Sequence, residues 1–255
     1  MNIAGFTYKG TSPQSQQDAI CINGIFSNDG SLQTSESIAR CFVADGVGSS
    51  TSGSFASQYV LNQIKDFDFP NWGDSVIFLR NVNADLISQN TANRSDSATT
   101  LAGCVYNGNE WLFFQAGDSE IYLIRKSIGR LVPLVGSHNE TPENIKKKFP
   151  GLSPEKIYEI AANTITSYFG GKTHLLRFDV DWQRRLALPA IKGIQPNDKI
   201  LICSDGLFKS IGQKDLMEAI VNTNNVAEVC TQLQQLTQQR GAPDNVSMIL
   251  IDIKP

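Results

Sequence analysis

Short apolar runs of strand length recur along this chain, and the way they end constrains the fold most. Ile38 to Ala44 stops abruptly at Asp45-Gly46, and Lys199 to Cys203 stops at Ser204-Asp205-Gly206. Asp118 follows the strand-like segment 110–116 within Gly117-Asp118-Ser119, Asp244 stands just before Val246 to Ile253, and Asp18 just before Ile20-Cys21-Ile22. Runs this short and this apolar fit buried strands, and the Asp-Gly pairs at 45–46 and 205–206 are turn signals that close two of them. Such a chain builds sheets whose strand ends carry carboxylates.

The strands come in groups separated by helix pairs. The N-terminal 45 residues read as strands with polar turns; Asn28-Asp29-Gly30 is a turn, and a polar stretch follows to Ser37. Residues 54–65 show a helical pattern with Phe55, Val60, Leu61 and Ile64 inward. A second helix is predicted over about 74–91, capped by Asp74, with Val76, Ile77, Leu79, Val82, Leu86 and Ile87 inward. Three strands follow at roughly 99–106, 110–116 and 120–125, the first two joined by a hairpin at Asn107-Gly108-Asn109. After the strand at 199–203, helices are expected near 213–222 and 225–239, the latter burying Val226, Val229, Cys230, Leu233 and Leu236. The grouping favours an α+β fold in layers over a regular βαβ series.

Residues 136–170 differ in character. Pro142, Pro150, Pro154 and the run Lys146-Lys147-Lys148 mark a surface excursion with short helices, and the lysine run reads as solvated surface. No interdomain linker interrupts the chain, so residues 1–255 read as one domain with a flap at about 136–170.

Composition narrows the chemistry. A net charge of -3 gives no general attraction to nucleic acid or to an anionic membrane. No apolar run reaches the roughly 20 residues of a membrane span, and the N-terminus lacks a secretory signal pattern. Five widely spaced cysteines (Cys21, Cys41, Cys104, Cys203, Cys230) suit reduced thiols in the cytoplasm. With only His138 and His174 present, a metal centre here must be rich in oxygen ligands.

Each Asp-Gly alone reads as a turn residue. Together, the aspartates at strand ends point to a cleft where like charges repel and a divalent cation removes the repulsion. Other motifs fail. Gly170-Gly171-Lys172-Thr173 ends like a phosphate loop, but Thr166 holds the place of its first glycine. Gly46-Val47-Gly48 starts a dinucleotide fingerprint, but position 51 is Thr51. No cysteine is followed six residues later by arginine, and no Gly-x-Ser-x-Gly elbow exists for a triad. His174 reads as a cap or packing residue near a strand, and His138 falls in the polar excursion.

The order of these segments resembles the metal-dependent serine/threonine protein phosphatases of type 2C, the PPM family. The segments that carry the resemblance are Gly10 through Asp18, DGVGSSTSGSFAS (45–57), ATTLAG (98–103), GDSEIYLIR (117–125), NTITSYFGG (163–171), SDGLF (204–208) and DNVSMIL (244–250). The resemblance implies a four-layer αββα sandwich: two central antiparallel sheets flanked by helix pairs. It implies two divalent cations, Mn2+ or Mg2+, bridged by Asp45. Asp205 and Asp244 would complete one ligand set; the Gly46 carbonyl, and Asp18 directly or through water, would serve the other. Asp118 with Asp205 would hold a third, weaker ion. By the same resemblance, a hydroxide bridging the cations attacks the phosphorus of phosphoserine or phosphothreonine, without a phosphoenzyme. The implied partner is a phosphorylated protein, the substrate of a serine/threonine kinase, met by a monomer in the cytoplasm.

The periphery departs from the family pattern. Pro13 stands in the place of the phosphate-binding arginine, with Lys9 or Arg40 as candidate substitutes. Val47 replaces a proton-donating histidine of some members, Ser49 a glycine, Ser54 a glutamate, Glu120 an arginine and Ser247 a threonine. Two alternatives stay open. One is a catalytically weak regulatory module that binds phosphorylated partners; the other is a phosphatase for small phosphoesters.

Overall fold

The computed structural model describes residues 1–47, 52–171, 176–223 and 225–254. The expectations for Gly48, Ser49, Thr51, Lys172, Thr173 and His174 lie outside the described residues. The strands are β1 (Asn2–Tyr8), β2 (Ala19–Ile22), β3 (Ile25–Ser27), β4 (Gly30–Ser35), β5 (Ala39–Ala44), β6 (Leu101–Tyr106), β7 (Trp111–Ala116), β8 (Glu120–Ile124), β9 (Leu131–Pro133), β10 (Lys199–Cys203) and β11 (Val246–Asp252). The helices are α1 (Gly53–Ile64), α2 (Trp72–Asn93), α3 (Pro142–Lys148), α4 (Pro154–Ala162), α5 (Asp181–Leu186), α6 (Asp205–Ser210), α7 (Gln213–Asn222) and α8 (Val226–Gln239).

Two antiparallel sheets form the centre, ordered β4-β1-β11-β10-β8-β9 and β3-β2-β5-β6-β7. Strand alternation sorts the core into two layers. Ile249 and Ile251 of β11, with Ile200 and Ile202 of β10, face the second sheet. Met248, Leu250, Leu201 and Cys203 face the other way, onto Leu216 and Ile220 of α7 and Val229 and Leu233 of α8. On the far side, Val60, Leu61 and Ile64 of α1 and Leu79 and Leu86 of α2 cover the second sheet. Both central strands are therefore buried on both faces, which explains their unbroken apolar runs. The result is the αββα sandwich that the resemblance implies.

Several local expectations are corrected. Phe55 is 41% exposed and stacks on Tyr59 along the outer face of α1. Ile77 is 59% exposed, because the buried stripe of α2 runs through Val76, Leu79, Val82, Asn83, Leu86 and Asn90. Helix α2 starts earlier than expected and is capped by Asn71, whose Oδ1 accepts from the Asp74 N–H at 2.9 Å. Asp74 instead sits in the first turn, where its charge suits the helix dipole. The polar stretch after Gly30 is the edge strand β4, half-exposed in alternation. β9, α5 and α6 carry no periodic signal in the sequence, because each is too short to show one.

The buried asparagines of α2 carry a positioning load. Asn90 Nδ2 donates to the Ser97 carbonyl at 2.7 Å, and Asn83 Oδ1 accepts from the Gly170 N–H at 2.8 Å. Thr99 and Phe169 exchange backbone hydrogen bonds. These bonds fasten the segment ahead of β6 to the end of the 136–170 excursion. Within that excursion, α3 and α4 are capped by Thr141 and Ser153 with proline at the first turn, and they pack Ile145, Ile157 and Ala161 into a small core of their own.

Candidate metal centre

Antiparallel pairing brings the acidic residues to one place. Asp18 directly precedes β2 and Asp45 directly follows β5, and the register pairs Ala19 with Ala44, so the two aspartates flank one rung. In the other sheet Cys203 of β10 pairs with both Met248 of β11 and Glu120 of β8. That register puts Asp205, Asp244 and Asp118 at the same end. Asp45, Asp118, Asp205 and Asp244 line one pocket of about 310 Å³ with Gly46, Val47, Gln17, Thr100, Asn163, Ile165, Lys209 and Asn245. Asp18 lies beneath it, 1% exposed.

Close backbone approach makes this convergence possible. A Cβ on Gly206 would lie 1.9 Å from the Asn245 carbonyl oxygen, so only glycine lets α6 start against the lead-in to β11. A Cβ on Gly46 would lie 2.8 Å from the Gln17 carbonyl oxygen and 2.4 Å from the Gly53 carbonyl carbon. The Asp45 N–H donates to Thr100 Oγ1 at 3.1 Å, and the Asp45 carbonyl accepts from the Thr100 N–H at 2.8 Å. This is the structural work of the Thr-Thr pair in ATTLAG.

The electrostatics are those of crowded acids. Burial pushes the Asp18 carboxyl up to about 7, against the pull of hydrogen bonds from Ser247 and Ser204. Ser204 Oγ donates to Asp18 Oδ2 at 2.8 Å, while the buried Asp18 Oδ1 has no hydrogen-bond partner among the described residues. Burial also pushes Asp45 well up, and the charges of Asp18, Asp205, Asp118 and Asp244 add to it. Asp118 is pushed up to about 6 by burial and by Asp205. Glu120, where the family pattern has arginine, is raised by burial and accepts from the Tyr122 hydroxyl at 2.6 Å.

Such a site calls for a cation, and the donor set tells which kind. Every candidate ligand is an oxygen, which suits Mg2+ or Mn2+, and the orphaned Asp18 oxygen is a further free acceptor. Among the described residues, no three carboxylate, imidazole or thiol groups are already gathered tightly enough to hold one ion. A lysine stands among them instead. Lys209 Nζ lies 2.6 Å from Asp205 Oδ2 and 2.6 Å from Asp244 Oδ2. Burial alone would push its ammonium down, but the two carboxylates override that and hold it charged. The residues fit divalent cations, with Lys209 as the internal counter-charge.

Lys209 leaves no local signal in the sequence, because it reaches Asp205 only through the i,i+4 geometry of α6, a helix of six residues. Neither Lys9 nor Arg40 lines the pocket from which the family's arginine is absent. Arg40 donates to the Phe67 carbonyl at 3.2 Å and pairs with Asp68, and Lys9 is exposed. His138 is not a surface residue of the excursion but is buried. Its Nδ1 accepts from the Gly117 N–H at 3.3 Å, so Nε2 carries the proton and donates to Asp179 Oδ2 at 2.9 Å. Its carbonyl accepts from the Thr166 N–H at 2.7 Å, tying the turn before Asp118 to the base of the excursion.

The protein phosphatase 2C family model matches residues 16–250. The serine/threonine protein phosphatase PstP of Mycobacterium tuberculosis is 25% identical over 231 residues, covering 83% of this chain and 40% of the relative. The chain thus spans less than half the length of that relative. The serine/threonine phosphatase stp of Listeria monocytogenes is 21% identical over 241 residues, covering 88% of each chain. Among solved structures, the catalytic domain of serine threonine protein phosphatase PstP in complex with two manganese ions has a TM-score of 0.70 at 20% identity, with 100% of both chains covered.

Proposed function

The chain belongs to the protein phosphatase 2C family, and from that premise we propose that it hydrolyses phosphoserine and phosphothreonine in proteins, using divalent cations held by its strand-end aspartates. The observation that carries this reading is the convergence of Asp45, Asp118, Asp205 and Asp244 on one pocket above the buried, half-satisfied Asp18. Asp45 would bridge two cations, Asp205 and Asp244 would complete one ligand set, and the Gly46 carbonyl with Asp18 would serve the other. Asp118 with Asp205 would hold a third, weaker ion. Divalent cations bound there would supply an activated water for attack on phosphorus near neutral pH and would stabilise charge on the phosphoryl oxygens. The manganese in the PstP structure supports that choice of ion.

The chain's own residues do the rest by holding geometry. Thr100 fixes the Asp45 backbone, and Ser204 fixes the Asp18 carboxyl while leaving its other oxygen free. Asn163 and Ile165, from the end of the flap, wall the pocket and limit what reaches it. Val47 at the pocket has no proton to give, so the serine or threonine alkoxide takes its proton from another group. None of the described helices is long and apolar enough to cross a membrane. The five buried, unpaired cysteines suit a reducing compartment, and we place the protein in the cytoplasm, opposing a serine/threonine kinase.

A second reading has its own observation. Pro13 in place of arginine, together with Lys209 on two of the candidate ligands, fits a weak regulatory module that binds phosphorylated partners. Phosphate release from a phosphothreonine peptide separates the two, measured with Mn2+, with chelator and with Asp205→Asn. Metal-dependent release lost in the variant supports the phosphatase. Peptide binding without release supports the module.

A further inference from the structure

The geometry points to Lys209 as a built-in competitor for the metal held by Asp205 and Asp244: its ammonium must leave those carboxylates before a divalent cation enters. This rests on the metal-dependent reading above and deepens it.

The argument is one of shared atoms. Asp205 sits at the first position of α6, and Asp244 lies just before β11, on a different element. Both turn an Oδ2 onto one Nζ, each at 2.6 Å. Binding two converging carboxylates through a single positive centre is the task a divalent ion would perform there. An oxygen pair closed on an ammonium at hydrogen-bond distance has no room for a cation between its members. Nor is the lysine trapped: its side chain is 40% exposed, against 30% for Asp205 and 38% for Asp244. Its flexible four-carbon stem lets the ammonium swing away without moving α6. The cost of that swing subtracts from metal affinity, as for any site whose competent state is only partly populated. The same pairing relieves the carboxylate repulsion in the metal-free protein. Lys209 therefore stabilises the empty fold and weakens the loaded one.

The test is calorimetric titration of MnCl2 into the metal-free full chain, wild type against Lys209→Met and Lys209→Arg, with circular dichroism to confirm folding. Lys209→Met is expected to bind Mn2+ about tenfold more tightly, the size of two part-exposed ion pairs acting together. Lys209→Arg, which keeps the charge, is expected to stay near wild type. Equal affinity in all three, or weaker binding by Lys209→Met, overturns the inference and leaves the metal reading standing. Absence of Mn2+ binding in all three overturns both. If Lys209→Met does not fold, the wild type decides through acetic anhydride labelling read by mass spectrometry. Saturating Mn2+ is expected to raise acetylation at Lys209 above that of the other lysines; unchanged or lower labelling overturns the inference.

Discussion

Asp18→Asn should stabilise the metal-free protein and remove part of its response to metal. Asp18 is 1% exposed, one of its oxygens has no partner among the described residues, and burial moves its carboxyl from 3.8 to about 7. At about 1.4 kcal/mol per tenfold change in proton affinity, ionising it in the fold costs up to about 4 kcal/mol. Asparagine keeps an acceptor for the Ser204 hydroxyl and removes the charge. Its buried amide needs partners of its own, so the expected gain is about 2–4 kcal/mol. For a chain of this length that is a rise in melting temperature of roughly 5–15 °C. The pH dependence gives the sign. Between 3.8 and about 7 the folded protein holds a proton that the unfolded chain has lost. This contribution to stability is thus complete below 3.8 and lost as the pH rises to about 7. Melting followed by circular dichroism in chelator should show almost no gap between variant and wild type near pH 4, and the full gap at pH 7.5. Saturating Mn2+ should then stabilise the wild type more than the variant, because binding to the folded state alone adds to stability. Equal melting at pH 7.5 in chelator, or a gap that persists on acidification, would refute the reasoning.

Other outcomes follow from single contacts. Gly206→Ala forces a Cβ against the Asn245 carbonyl, so it should lose about 1–3 kcal/mol in urea unfolding and weaken Mn2+ binding by separating Asp205 from Asp244. Arg125→Ala strips a bidentate partner from Asp198, a carboxylate only 2% exposed, and should cost about 3–5 kcal/mol in the same assay. His138 is held below its ordinary 6.5 by burial, despite Asp179. Its contribution to stability is therefore present above 6.5 and falls away as the pH drops below that value. His138→Leu should cost about 1–3 kcal/mol at pH 7.5 through the unpaired Gly117 N–H, and the loss should shrink on acidification.

Much of this was legible in the chain itself. The apolar runs at 199–203 and 246–253, the helix pairs and the aspartates at the strand ends are local patterns, and the structure keeps them. What could not be read locally is equally specific. Phe55 and Ile77 are apolar by type, yet they face outward because helix rotation against the sheet is set by packing. Asn83 and Asn90 are polar by type, yet they are buried, because loops arriving from residues 97 and 170 need their hydrogen bonds.

By itself, the sequence determined the layered class, the scarcity of histidine that makes any metal centre oxygen-rich, and the five acidic positions Asp18, Asp45, Asp118, Asp205 and Asp244. Only the tertiary structure decided that these positions meet. Which strand ends coincide depends on antiparallel register between segments as distant as Ala19 and Ala44, or Cys203 and Glu120, and register follows the burial of whole faces. The same is true of Lys209. Its place on the acids depends on a turn of helix that forms only because Gly206 lets the chain close against Asn245.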